Sequence, residues 1–401
     1  MVKDKVQLYA LIRFSLSFAF GTILPVYVLY FRHYQINLFE IGLLAAIFEV
    51  SILVFEIPTG LIADIFGRRI SVILSAFVSL ISGLVFILFP FLTGFIIAEI
   101  VSGLGETLRS GALDAWLVDS MKQEGKEEKI KSALAQGTKF KTGGNLLGLI
   151  LGGYLASLNM KLVWVPFTLI FLFLSFFLIL RMREEYKTGH ELREKVFSRL
   201  SEITCLSWKV IRTQRLILAL LVLSLFFEFS YETVSQFWQV HFSEGLAIGA
   251  KYFGWILAGA SVLTILLIDK VTRLSEKFRN EVSSLIILQV LFLFSLLIIA
   301  LTYSPLLAIV FFIFLQSMVN FQEPIFLDLF NKNIPSPQRA TLLSFQSLVG
   351  SGGEALAGLC IGLVAQEYGL RLTFGLGTAV LVAGIVTFIL LTTMKRTKTG
   401  V

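Results

Sequence analysis

Roughly a dozen apolar stretches, most of them about 20 residues long or longer, divide this chain from end to end, and no other feature constrains its fold as strongly. A stretch of that length crosses the hydrocarbon core of a bilayer as a helix. Inside that core the backbone N–H and C=O groups find no water, so only helices and closed barrels span it. These stretches are too long and too continuous for barrel strands. The expected fold class is therefore an all-α integral membrane protein. Composition agrees: 56% of the 401 residues are hydrophobic and only 15% are charged, against about 25% charged in soluble domains. Such a chain cannot hide its apolar surface in water.

The expected spans are 8–30, 38–63, 70–90, 94–119, 136–158 and 162–181, then 216–241, 249–269, 282–302, 304–330, 340–366 and 371–394. This gives an N-terminal six-helix half over 1–181 and a C-terminal half over 216–401. The linker 182–215 reads as an amphipathic helix on the cytoplasmic leaflet, with Arg193, Lys195, Arg199, Trp208 and Arg212 among apolar residues.

Lysine and arginine gather after spans 2, 4, 6, 8 and 10 and at both termini. The positive-inside rule then places both termini in the cytoplasm of a cell whose plasma or inner membrane the chain crosses many times. The net charge of +7 is a topology signal by this reading, and no nucleic-acid partner is expected. The first apolar stretch has no small-residue cleavage site before Arg32 and His33, so it is expected to stay as span 1. Cys205 and Cys360 lie in opposite environments and suggest neither a disulfide nor a metal site. His33, His190 and His241 are scattered, and no phosphate loop, metal-ligand cluster or nucleophile constellation appears, so neither an enzyme nor a cofactor is expected.

The halves carry an internal repeat. Gly143-Gly144-Asn145, followed by Gly153 and Ala156 in span 5, matches Gly352-Gly353-Glu354, followed by Gly362 and Ala365 in span 11, without a gap. Repeated halves around a midplane site are the architecture of rocking transporters.

The loop between spans 2 and 3 runs Gly60-Leu61-Ile62-Ala63-Asp64-Ile65-Phe66-Gly67-Arg68-Arg69. Gly60 and Gly67 permit a tight turn and close helix approach, while Asp64, Arg68 and Arg69 can pair with a neighbouring helix end. Asp119, ending span 4, is a candidate partner for an arginine. In this motif the chain resembles the major facilitator superfamily. The resemblance implies a conformational latch of Gly60, Asp64, Gly67, Arg68, Arg69 and Asp119. Span 4 reads Glu99-Ile100-Val101-Ser102-Gly103-Leu104-Gly105, similar to a second family motif whose first place is an arginine associated with proton coupling. Glu99 occupies that place here, and Arg109 is the candidate to supply the positive charge instead. Span 5, with Gly144, Gly148, Leu149, Gly152 and Gly153, resembles the glycine-rich motif of the family's drug antiporters, with Leu149 where they carry proline.

Ionisable residues deep in apolar helices mark function, because each costs at least about 2.5 kcal/mol unless it faces a partner or a wet cavity. Glu49 and Glu56 share a face of span 2, and Glu99, Glu106 and Arg109 share a stripe of span 4. Glu106 and Arg109, three apart, can form an intrahelical pair. Glu228, Glu232, Ser235 and Gln239 align along span 7, and Gln316, Asn320 and Glu323 along span 10, beside Pro324. Span 11 adds Gln346 and Glu354. The candidate substrate and proton ligands are Glu49, Glu106, Arg109, Glu228, Glu232, Asn320, Glu323 and Glu354. The resemblance adds that spans 1, 4, 7 and 10 surround the family's central cavity.

The abundance of buried carboxylates favours protons as coupling ion. The first reading is a monomeric proton-coupled antiporter that exports lipophilic or cationic small molecules by alternating access. The alternative is an uptake permease for a nutrient or metabolite, and a third class is a membrane receptor without transport.

Overall fold

A computed structural model describes residues 2–183, 211, 214–277, 281–334 and 339–393. The amphipathic linker helix expected over 182–215, with Cys205, lies almost wholly outside the described residues.

The described chain is helical, and the helices follow the expected spans in order. The first half contains span 1 (Val2–Ile23, a 3-10 turn Leu24–Val26, and Tyr27–His33), span 2 (Leu38–Phe66), span 3 (Arg68–Leu88), span 4 (Leu92–Arg109 and Ala112–Gln123), span 5 (Ile130–Leu158) and span 6 (Trp164–Arg181). The second contains span 7 (Arg215–Val240 with a π turn His241–Gly245), span 8 (Phe253–Lys277), span 9 (Glu281–Leu301), span 10 (Pro305–Lys332), span 11 (Arg339–Tyr368) and span 12 (Leu370–Thr393). Ten of these are long and apolar enough to cross a membrane by length and composition alone. Span 4 falls short because its first helix carries Glu99, Glu106 and Arg109, and span 5 because Lys131, Lys139, Lys141 and Asn145 lower its apolar character.

Local chemistry sets the boundaries. Asn37 opens span 2 with a capping box: its Oδ1 accepts from the Glu40 N–H at 2.8 Å, and its own N–H donates to Glu40 Oε2 at 2.9 Å. Gly67 closes that helix with φ +101°, a conformation that L side chains rarely adopt. Span 10 starts on Ser304, with Pro305 in the first helical position.

Two spans expected to be continuous are broken. Pro25 has no N–H to donate and its ring disfavours the preceding helical turn, so span 1 changes to a 3-10 turn there. Span 4 stops at Arg109, and Gly111, at φ +70°, redirects the chain before Ala112. Ser71 of span 3 donates to the Leu108 carbonyl at 2.6 Å, satisfying an acceptor near that break.

By packing, the chain forms two compact units. The first holds spans 1 to 6 together with Trp238–Gly259; the second holds the remainder of spans 7 and 8 with spans 9 to 12. Within the first unit, span 5 lies directly on span 1. A methyl group added to Gly144, Gly148 or Gly152 would collide with the carbonyls of Phe14, Phe18 or Thr22. Gly103 meets Ser51 of span 2 and Gly105 meets Ser79 of span 3 in the same manner. In the second unit Gly353 faces the Leu225 carbonyl of span 7, where a methyl would lie 3.1 Å away. The repeat thus has a structural counterpart: Gly144 and Gly353 each press on the first span of their own half, while Gly143 and Gly352 have open space. Ile57, Leu88, Leu180, Leu301 and Leu306 lie on exposed faces, as lipid-facing side chains do.

Candidate functional site

The first unit holds three polar clusters. In span 1, the Tyr9 hydroxyl donates to Asp114 Oδ1 at 2.6 Å, Arg13 Nε donates to the Tyr9 oxygen at 3.1 Å, and Arg13 forms an ion pair with Asp114. This triad sits just beyond the break in span 4, whose turn at Gly111 brings Asp114 round to span 1. Spacing along the chain gave no sign of it, because Tyr9 and Asp114 are 105 residues apart.

On the other side of the break, Glu106 and Arg109 form the expected intrahelical ion pair. The Arg109 guanidinium also lies over the Phe20 ring, 4.5 Å from its centroid. Among the described residues, Arg109 Nε is buried without a hydrogen-bond partner. Deeper along span 4, Glu99 is buried and accepts a hydrogen bond from the Tyr27 hydroxyl, in the short helix after the break in span 1. Glu49 of span 2 is half-buried and lies within electrostatic reach of Glu99.

Gln239, expected to align with Glu228 and Glu232 along span 7, has another role. Its Oε1 accepts from the Val28 N–H at 2.9 Å, and its Nε2 donates to the Leu24 carbonyl at 3.0 Å. Those two backbone groups are four residues apart and would bond to each other in a regular helix. The Gln239 amide is inserted between them at the break beside Pro25, so both are satisfied. Arg32 and Glu244 add a two-pronged ion pair nearby, at 2.9 and 3.1 Å.

The motif between spans 2 and 3 behaves only partly as expected. Arg68 pairs with Asp64 at 3.0 Å. Arg69 meets a helix end: its Nε donates to the Met182 carbonyl at 2.6 Å and its Nη2 to the Ile179 carbonyl at 3.1 Å, at the C-terminus of span 6. Among the described residues Asp119 has no ion-pair partner, because Arg68 and Arg69 are directed to Asp64 and to span 6. Gly60 makes no close approach either; nothing lies within 4 Å of a methyl placed there. In the loop after span 4, Glu124 pairs with Lys5 at 3.0 Å. Desolvation works to raise its pKa, but Lys5, and then Lys126, hold the carboxyl below its ordinary range.

The second unit contains a cavity of ≈ 290 Å³ between spans 7, 9, 10 and 11. Ser224, Glu228, Gln289, Gln322, Glu323 and Gln346 supply its polar wall, and Phe227 and Phe326 are among its apolar lining. Among the described residues, no lysine, arginine or histidine lines it. Phe227 is fixed edge-on against Phe292 with ring centres 5.0 Å apart. Gln346 Nε2 donates to Ser224 Oγ at 3.5 Å. Of the expected ligands, the cavity thus gathers Glu228 and Glu323. Asn320 does not line it, and its Nδ2 donates to the Gln316 carbonyl of its own helix at 2.8 Å. Gln316 in turn accepts from the Tyr231 hydroxyl at 3.1 Å. Glu232 and Glu354 are half-buried in spans 7 and 11 without lining the cavity. Gln289 and Gln322 were missed by sequence reasoning. The available signal was a lone glutamine in the otherwise apolar middle of span 9.

The model of the Major Facilitator Superfamily matches residues 9–273 and 226–400. The uncharacterized MFS-type transporter YxaM of Bacillus subtilis (strain 168) is 27% identical over 385 residues, covering 94% of this chain and 93% of that one. Among solved structures, the nucleoside transporter NupG matches 97% of this chain with a TM-score of 0.79 at 12% identity, over 100% of its own length. A D-xylose-proton symporter matches 99% of each chain with a TM-score of 0.73 at 14% identity. At such identities the likeness to both structures is one of fold.

Proposed function

The chain belongs to the major facilitator superfamily, and is a transporter rather than an enzyme; from that premise we propose that it is a proton-coupled exporter of small organic cations. The observation that carries this reading is the cavity of the second unit, which has two carboxylates and aromatic rings on its wall and, among the described residues, no basic side chain. Taken from water into such a site, a carboxylate needs either a proton or a cation beside it. Glu228 and Glu323 therefore exchange one for the other: a cation entering displaces protons, and protons returning down their gradient release the cation. The aromatic rings of Phe227 and Phe326 favour an organic cation over a bare metal ion.

In this reading the chain works as a monomer, with both termini on the cytoplasmic side of the cell membrane. In the first unit Arg109 is paired with Glu106 and Arg13 with Asp114, so the exchange is assigned to the second unit's carboxylates. Uptake of a nutrient remains the alternative, supported by Leu149, which is buried where the resembling drug antiporters carry proline.

Proteoliposomes with an imposed pH gradient test the reading. A fluorescent organic cation should move against the direction of proton flow in the native protein. Glu228→Gln or Glu323→Gln should slow that movement about tenfold or more. Proton flow and cation flow in the same direction would establish symport instead.

A further inference from the structure

The cation exchange described above leaves out a buried carboxyl group of the first unit. Glu99 is 2% exposed in the first helix of span 4. Among the described residues it forms no ion pair, and its hydrogen bond comes from a neutral donor, the Tyr27 hydroxyl. The ionisable groups around it supply no positive charge. Span 2 brings Glu49 within electrostatic reach, and span 3 has no ionisable side chain from Ile70 to Leu88. On its own helix Glu106 and Arg109 are paired with each other, and beyond the break Asp114 is paired with Arg13. In span 1 the Tyr30 hydroxyl donates to the Phe86 carbonyl at 2.7 Å. An ionised carboxylate so enclosed is costly, whereas the neutral acid leaves no charge to balance.

Tyr27 is the first residue of the helix Tyr27–His33 and directly follows the 3-10 turn Leu24–Val26. The next residue, Val28, has its N–H held by Gln239, and Phe31 packs edge-on against Phe95 of span 4 with ring centres 4.9 Å apart. The segment after the break in span 1 is thus held at its start by two side chains, of which one, Glu99, can gain or lose a proton. We propose that Glu99 is a proton-binding site that controls this segment. It carries its proton while Tyr27–His33 lies against span 4, and it passes that proton to water when the segment moves and the ion can be hydrated. Closed and protonated, or open and ionised, are the two linked states, so rising pH favours the open one. The site is separate from Glu228 and Glu323 and does not depend on the exchange assigned to them.

The test is infrared spectroscopy of the purified full-length protein, which distinguishes the C=O stretch of a protonated carboxyl from the bands of a carboxylate. At neutral pH, subtracting the Glu99→Gln spectrum from the native one should leave a protonated-carboxyl band. Tyr27→Phe should move that band to higher frequency, because the carbonyl loses a hydrogen bond. Amide hydrogen exchange reads the segment itself. As pH rises, exchange in a peptide covering residues 28–33 should quicken beyond the intrinsic rate, by up to about tenfold per pH unit for one linked proton. Glu99→Gln, which stays neutral, should abolish that excess. Both variants are checked for an unaltered melting temperature. Identical native and Glu99→Gln spectra in the carboxyl region, a band that Tyr27→Phe leaves in place, or native exchange that follows the intrinsic rate alone would each overturn the proposal. Neither measurement uses a cation or a gradient, so failure here leaves the exporter reading standing, and failure of cation movement in proteoliposomes leaves this site standing.

Discussion

Arg13 and Asp114 are the clearest case in which single residues set the chemistry of the first unit. Arg13 touches both Tyr9 and Asp114, and the carboxylate accepts from Tyr9 as well. The pair is partly exposed, and removing one charge leaves the other without its counter-ion, whereas removing both leaves no charge to balance. Arg13→Gln and Asp114→Asn are each expected to reduce cation transport about tenfold at matched expression. The double variant should recover part of the loss, because contacting sites are not additive; transport in the double variant at the product of the two single losses would show that the pair is not coupled. The same comparison explains what was legible at this scale. Glu106 and Arg109 are three residues apart, so helix geometry alone predicts their pairing. Arg13 and Asp114 are separated by 101 residues and come together only because Gly111 breaks span 4, which no periodicity announces. Gln289 was hidden for another reason: one glutamine does little to the apolar character of span 9, and only the packed structure brings it to Gln322.

Whole helices were legible because membrane insertion demands long apolar runs; all twelve spans appear in order, most within a few residues of their expected bounds, while spans 1, 5 and 8 run about six to eight residues further. The breaks were not, because proline and glycine disturb a helix only as far as a partner can satisfy the freed backbone groups. At Pro25 that partner is Gln239, which lies more than 200 residues away in the chain. The glycine repeat was visible as a pattern, but which glycine of each pair matters is a packing question. Gly144→Ala and Gly353→Ala place a methyl against the backbone of spans 1 and 7, and overpacking of this kind costs about 1–3 kcal/mol. Gly144→Ala should cost more, since its carbonyl neighbour is nearer than that of Gly353. Gly143→Ala and Gly352→Ala face open space and should leave stability unchanged or slightly raised, as alanine favours the helix. Melting temperatures of the four variants in one detergent check this; similar losses in all four would mean that helix approach is not what these glycines provide.

At the scale of the molecule, charge is distributed unequally between the two units. The first unit pairs its intramembrane charges internally, Arg13 with Asp114 and Arg109 with Glu106, and shields Glu99 behind Tyr27. The second presents Glu228 and Glu323 to a cavity that, among the described residues, no basic side chain lines. Proton–cation exchange at those two carboxylates is the central claim, and it makes a stoichiometric demand that does not depend on the direction of transport. Proton release on adding an organic cation to the purified protein, followed with a pH indicator in weak buffer, is its most direct measurement. The native protein should release protons in proportion to cation bound, and Glu228→Gln with Glu323→Gln should release none; cation binding with no proton release from the native protein would contradict the account.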